Sequence, residues 1–349
     1  MDNIIEDYFR CGFTNREILI LLEESHNIIL SLRTLERTLQ RNRCKHLDVN
    51  RWMHQKCWMY GIITDRETVR QLMRLLDGQG VDAYNIRGPN YVWHIDGYDE
   101  LKPYGICING CIDGFSRKII WLEANKTNND SRVIASYFIN AVAENNGYPQ
   151  RIRIDRGTEN NHIAEMQIFF REAGNAECVT IGPSTGNQRI ERLWSTLRSQ
   201  CIQFWMDHFE QLKEDGHFVG SFIDKSLIQF CFQHFIQEDL DETVSAWNCH
   251  RIRPTHNPRA PSGRPSIMFD VPSLYGVQNF LYPVDQTKLS ICREDCIFKD
   301  YPCDEDVFQL CVELMAEHNL VMTNDVYEIT DFYLRLDRQL ILHGLEMDD

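Results

Sequence analysis

The sequence predicts an α/β protein: a mixed five-stranded sheet flanked by helices, with a helical region ahead of it and a mainly helical region behind. Three observations carry this. Residues 91–123 hold three short apolar runs joined by tight polar connections, which predicts an antiparallel meander. Residues 129–200 then alternate helical and strand periodicity, which predicts parallel pairing of the later strands. Residues before 80 and after 220 repeat their apolar positions at helical spacing.

In chain order, residues 1–45 read as three short helices. Thr14 with Glu17 forms a capping box ahead of a stripe of Ile18, Leu21 and Leu22. After a break near Ser25 to Asn27, Ser31 is placed to cap a helix striped by Leu32, Leu35 and Leu39. Around that stripe stand Arg33, Arg37, Arg41 and Arg43. Helix, short turn and a helix with an arginine-rich outer face make the helix-turn-helix pattern, whose second helix lies in a DNA major groove. A small bundle with a solvated basic face fits these residues as well. The context of the remaining chain favours DNA, with Arg33, Arg37 and Arg41 as the contacts. Residues 46–80 are helical again, opened by a capping box at Thr64 and Glu67 and ended by Gly78 and Gly80; a linker follows to residue 89.

Strands are expected over 91–98, 105–112 and 118–123, then a helix over 129–144 that Gly147 and Pro149 terminate. A strand over 151–155, a helix over 163–171 and a strand over 178–181 follow. Ile190, Leu193, Trp194 and Leu197 then share one face of an amphipathic helix. The order βββαβαβα is that of a ribonuclease-H-like fold. Beyond it, 222–247 reads as a helix whose aromatic run, Phe230, Phe232 and Phe235, packs the core. The tail has helical stretches near 307–318 and 329–342.

The chain has 349 residues and a net charge of −15, which at first argues against a nucleic-acid partner. Its distribution removes the objection. Residues 1–90 carry 13 basic and 12 acidic side chains, residues 91–205 carry 12 and 13, and residues 206–349 carry 11 and 26. The acidity belongs to the C-terminal part. No apolar run approaches the ~20 residues of a membrane span, and the N-terminus lacks a secretory pattern. The expectation is a soluble intracellular protein with no membrane partner. Thirteen scattered cysteines suit buried thiols better than disulfides. Neither Cys292, Cys296 and Cys303 nor Cys44, His46, His54 and Cys57 has the paired spacing that would assign a zinc site.

Isolated acids at strand ends are the natural place to look for chemistry. Asp96 lies at the end of an otherwise apolar strand, in Trp93-His94-Ile95-Asp96-Gly97. Asp155 ends the 151–155 strand and runs into Arg156-Gly157-Thr158-Glu159-Asn160. Glu191 stands near the start of the last core helix. Glu159 and Asp113 are rival acids, the first read as a capping or supporting group and the second as a turn residue. Thirty-five residues separate Asp155 from Glu191. That spacing resembles the D,D-35-E arrangement of retroviral integrases and DDE transposases. The flanks carry the same likeness, at Asp113 to Arg117, Asp155 to Asn160 and Gly186 to Trp194. Residues 90–205 therefore resemble an integrase catalytic core. The likeness is to the transposon-derived integrase-core proteins of animals and fungi, since neither a basic SH3-like C-terminal domain nor an N-terminal zinc finger is evident.

The resemblance implies that Asp96, Asp155 and Glu191 bind two Mg²⁺ or Mn²⁺ ions and are catalytic. It further implies in-line cleavage and joining of DNA phosphodiesters, and Asn187, Gln188, Arg189, Arg192 and Arg198 as phosphate contacts on the final helix. The expected partners are transposon-end and target DNA and a second copy of the chain; the expected location is the nucleus. The expected domains are a helix-turn-helix region (1–45), a helical region with linker (46–89), the core (90–205), its helical extension (206–270) and an acidic region (271–349). The alternative is a domesticated, catalytically silent DNA-binding or scaffolding protein. The short linker, with Arg87 alone, and the acidic tail favour that alternative, while the intact triad opposes it. A ribonuclease acting on RNA–DNA hybrids would share the metal chemistry but leave the N-terminal helices unexplained.

Overall fold

The computed structural model describes residues 2–10, 12–41, 87–171, 176–182, 188–254, 261–323 and 325–342. The helical region expected over 46–80, with Thr64 and Glu67, lies outside them. At the N-terminus, α1 (Asp2–Arg10), α2 (Asn15–His26) and α3 (Leu32–Arg41) pack around Ile5, Phe13, Ile18, Leu22 and Leu35. The capping box forms: the Glu17 N–H donates to Thr14 Oγ1, and Glu17 Oε2 accepts from the Thr14 N–H at 2.7 Å. Ser31 Oγ accepts from the Thr34 N–H at 3.2 Å, which satisfies a free donor at the start of α3. Asn27 closes α2 in the left-handed region at φ 54°.

The central sheet follows the predicted order. β1 (Val92–Tyr98), β2 (Cys107–Asp113) and β3 (Ile119–Asn125) form an antiparallel meander. The chain crosses through α4 (Ser131–Glu144) and a two-residue β4 (Gly147–Tyr148) into β5 (Arg151–Ile154). It then passes through α5 (Asn161–Phe170) into β6 (Val179–Ile181). β5 pairs parallel with β1 and β6 parallel with β5, so the spatial order is β3-β2-β1-β5-β6. Parallel neighbours need a crossover, and the two helices supply it.

The pleat divides the side chains between two layers. Trp93, Ile95, Cys111, Trp121, Ile152 and Ile154 face α4 and α5. Tyr98, Ile108, Ile112, Leu122 and Ala124 face the other layer, formed by α6 (Gln188–Leu197), α7 (Gln203–Glu214) and α8 (Phe222–Cys249). Between α6 and α7 the helix widens into one π turn over Arg198–Ile202. This is a ribonuclease-H-like α/β sandwich with helical regions at both ends.

Behind it come α9 (Pro265–Asp270), α10 (Gln286–Glu294), α11 (Glu305–Glu317) and α12 (Val326–Leu342). The first packs on α2, the second on α4, and the last two on α8. Arg264 ties the N-terminal helices down: its guanidinium donates to the carbonyls of Gly12 and Cys249 and lies 5.3 Å from the Phe13 ring centroid. The periodicity did not anticipate α7, α10, or the pairing of β4 with β7 (Tyr282–Pro283). Among the described residues no helix is long and apolar enough to cross a membrane.

Candidate functional site

Two adjacent parallel strands carry the two aspartates. The register pairs Trp93 with Ile152 and His94 with Arg153; two residues further on, it brings Asp155 alongside Asp96 at the end of the sheet. Asp96 shares its strand face with Tyr98, the face that α6 covers. Glu191 lies on the first turn of α6 with its side chain exposed, while Ile190, Leu193, Trp194 and Leu197 are buried beneath it.

The carboxylates feel one another. Asp96 is 8% exposed, and burial pushes its carboxyl from 3.8 up to about 7. The charges of Asp155 and Glu191 add to the rise, and a hydrogen bond from Trp194 opposes it. Glu191 is raised by burial first and then by Asp155. The donors are hard carboxylate oxygens, and a buried acid among like charges favours a cation beside it, so the residues fit a divalent ion. Among the described residues, however, no three Asp, Glu, His or Cys side chains are close enough together to hold one ion. Mutual repulsion acts to keep an unneutralised set of carboxylates apart.

Several supporting groups surround the acids. Trp194 Nε1 donates to Asp96 Oδ2 at 3.0 Å. Its ring lies against Gly110, which faces Asp96 across the β1–β2 ladder; a Cβ at Gly110 would stand 2.6 Å from the indole. Asn160 Nδ2 donates to Asp155 Oδ1 at 3.0 Å and reaches Glu159 Oε1 at 3.4 Å. Glu159, raised by burial and further by Asp155, folds back over Gly157, where any Cβ would collide with its carboxylate. Asp113 organises a turn: its carboxylate accepts from the backbone N–H groups of Asn90, Phe115 and Ser116 and from Ser116 Oγ.

Sequence reasoning placed Asn160 and Trp194 in the flanks that carry the family likeness, and Trp194 on the core face of its helix, but gave neither a role at the site; Gly110 it did not single out. The available signal was Gly110 itself, since a glycine inside a strand pattern marks a close approach. Of the expected DNA contacts, Arg33 and Arg37 are exposed on α3. Asn187 and the side chains of Arg41 and Gln188 lie outside the described residues. Arg192 is partly buried, and the exposed Arg198 pairs with Glu100 at 2.9 Å. Arg189 is partly buried as well. Burial lowers its guanidinium to about 10, with the Asp113 charge opposing, so it keeps its charge at neutral pH.

Fold and site together define a ribonuclease-H-like protein with acids gathered at the end of the central strands. The sequence model of the integrase core domain matches residues 83–263, just over half of the chain, and the protein belongs to that family. The match takes in the whole sheet and runs through α8. No curated protein matches the chain.

Proposed function

We propose that the protein is a metal-dependent polynucleotidyl transferase that cleaves and joins DNA in the manner of integrases and transposases. The observation that supports this most is the convergence of Asp96, Asp155 and Glu191 from two adjacent strands and one helix, with Asp96 responding to the charges of both partners. In this reading the three carboxylates hold divalent ions, which would activate the attacking oxygen and stabilise the leaving one. Asp96 supplies the most buried charge. Asp155 is oriented by the Asn160 amide, and Glu191 approaches from the helix that closes the site. Arg192 and Arg198 border the same helix and add positive charge near a bound phosphate backbone. Residues 1–45 supply a separate DNA-binding unit through α3, and residues 271–349 an acidic region.

One observation favours the silent, DNA-binding alternative: residues 206–349 carry 11 basic and 26 acidic side chains, a charge that repels DNA unless it lies away from the site. Nicking of supercoiled plasmid in Mn²⁺ by wild type and by Asp155→Asn separates the readings. The enzyme reading predicts nicking by wild type and a loss of at least a hundredfold in the variant. Equal nicking by both sinks the triad. Plasmid binding by wild type without nicking establishes the silent protein.

A further inference from the structure

Trp194 sits on the same helix as Glu191, one turn further along, and touches the strand that carries Asp96. Its indole N–H donates to Asp96 Oδ2 at 3.0 Å in a buried setting. The ring is stacked on Tyr98, with centroids 5.1 Å apart and planes 24° apart. It is seated against Gly110, directly across the ladder from Asp96. Strand β1, strand β2 and helix α6 thus all fix the position of one N–H group. The other buried indoles also find partners: Trp93 and Trp121 donate to the amide oxygens of Asn90 and Asn109, Trp247 to the Arg117 carbonyl, and Trp205 to Asp239 Oδ2 at 3.0 Å. What distinguishes Trp194 is therefore not the carboxylate as such but which carboxylate it holds, the one on β1 that responds to the charges of Asp155 and Glu191.

We propose that Trp194 is a positioning residue, which orients the Asp96 carboxylate for metal binding and sets the register of the Glu191 helix against it. The proposal rests on the reading of Asp96, Asp155 and Glu191 as the metal site. A donor on one carboxylate oxygen restricts rotation of the group and directs its remaining lone pairs toward the site. Supporting partners of this kind change metal affinity by about ten- to a hundredfold when removed. Gly110 belongs to the same device, because only a residue without a side chain leaves room for the indole.

Calorimetric titration with Mn²⁺ at pH 8 tests this on the full chain, using wild type, Asp96→Asn, Trp194→Phe, Trp194→His and Gly110→Ala. Thermal unfolding in EDTA serves as the measure of packing. Phe keeps an aromatic ring without the donor; the Nε2 of His falls where the indole Nε1 lies but fills less space. The proposal predicts affinity about tenfold or more weaker in Trp194→Phe, a substantial recovery in Trp194→His, and weakening in Gly110→Ala. A packing role alone predicts the reverse order, Phe above His, and that result overturns the proposal. So does wild-type affinity in Trp194→Phe when Asp96→Asn has lost binding, an outcome that leaves the triad intact. Wild-type affinity in Asp96→Asn, or no Mn²⁺ binding by wild type, removes the triad and this proposal with it. Should Trp194→Phe fail to fold, Trp194→His and Gly110→Ala decide: unchanged affinity in Gly110→Ala, or affinity in Trp194→His as weak as in Asp96→Asn, counts against it.

Discussion

At the scale of single residues, Asp96 is held where its charge is costly. Burial first, and then the charges of Asp155 and Glu191, push its carboxyl from 3.8 up to about 7 in the folded protein. The folded state therefore binds the proton more tightly than the unfolded chain does. The resulting destabilisation is absent below about pH 4, grows as pH rises toward 7, and is constant above that. In EDTA at pH 8, Asp96→Asn should be more stable than wild type, on the order of 2–4 kcal/mol. At pH 4 the two should unfold together. Saturating Mg²⁺ should close the gap at pH 8 by stabilising wild type alone. A variant no more stable than wild type in EDTA at pH 8 would contradict the account. Such a gain in stability with loss of a charged group is the mark of a residue kept for function.

Among the elements, α8 does more than cover the sheet. β3 is an edge strand, and its outward backbone groups are met by side chains of this helix. Gln237 accepts from the Ala124 N–H and donates to the Leu122 carbonyl, at 2.9 and 3.0 Å. Asn248 accepts from the Ile119 N–H and donates to its carbonyl, at 2.8 and 3.0 Å. These amides substitute for a sixth strand and close the edge against further pairing. Asn248→Ala would leave a buried N–H and C=O unpaired and should cost about 1–3 kcal/mol in denaturant unfolding; a loss below about 0.5 kcal/mol would argue that the strand edge is satisfied otherwise.

Strands and helices of the core were legible because the strands, covered on both faces, read as short apolar runs bounded by polar turns, and because Ile190, Leu193, Trp194 and Leu197 recur at helical spacing. The two-residue pair of β4 and β7 was not, since so short a run has no periodicity. Asp96 stood out as an acid in an otherwise apolar strand, and Asp155 as an acid ending the 151–155 strand. Trp194 fell within the likeness, but its contact with Asp96 was not legible, because a tryptophan on the buried face of a helix looks like any core residue until its N–H partner is located. The surroundings of Arg189 were not legible either: an arginine beside a candidate ligand reads as solvent-facing, whereas here it is partly buried near Asp113.

Taken as a whole, the molecule separates its charges. The N-terminal helices and the core are nearly balanced, and residues 206–349, with 11 basic and 26 acidic side chains, hold the net negative charge. Arg264 fixes the N-terminal unit to the segment behind α8, and Arg33 and Arg37 remain exposed on α3. If α3 contacts DNA phosphates, Arg33→Ala with Arg37→Ala should weaken binding across sequences and lower the slope of log affinity against log salt by about 2. An unchanged slope, measured by fluorescence anisotropy on duplex DNA, would assign the helix to packing alone. The central claim is that Asp96, Asp155 and Glu191 form one metal centre, and anomalous diffraction from crystals of the protein in saturating Mn²⁺ tests it most directly. The account predicts manganese density in contact with Asp96 and Asp155 and within reach of Glu191. Manganese elsewhere with none at these carboxylates would contradict it.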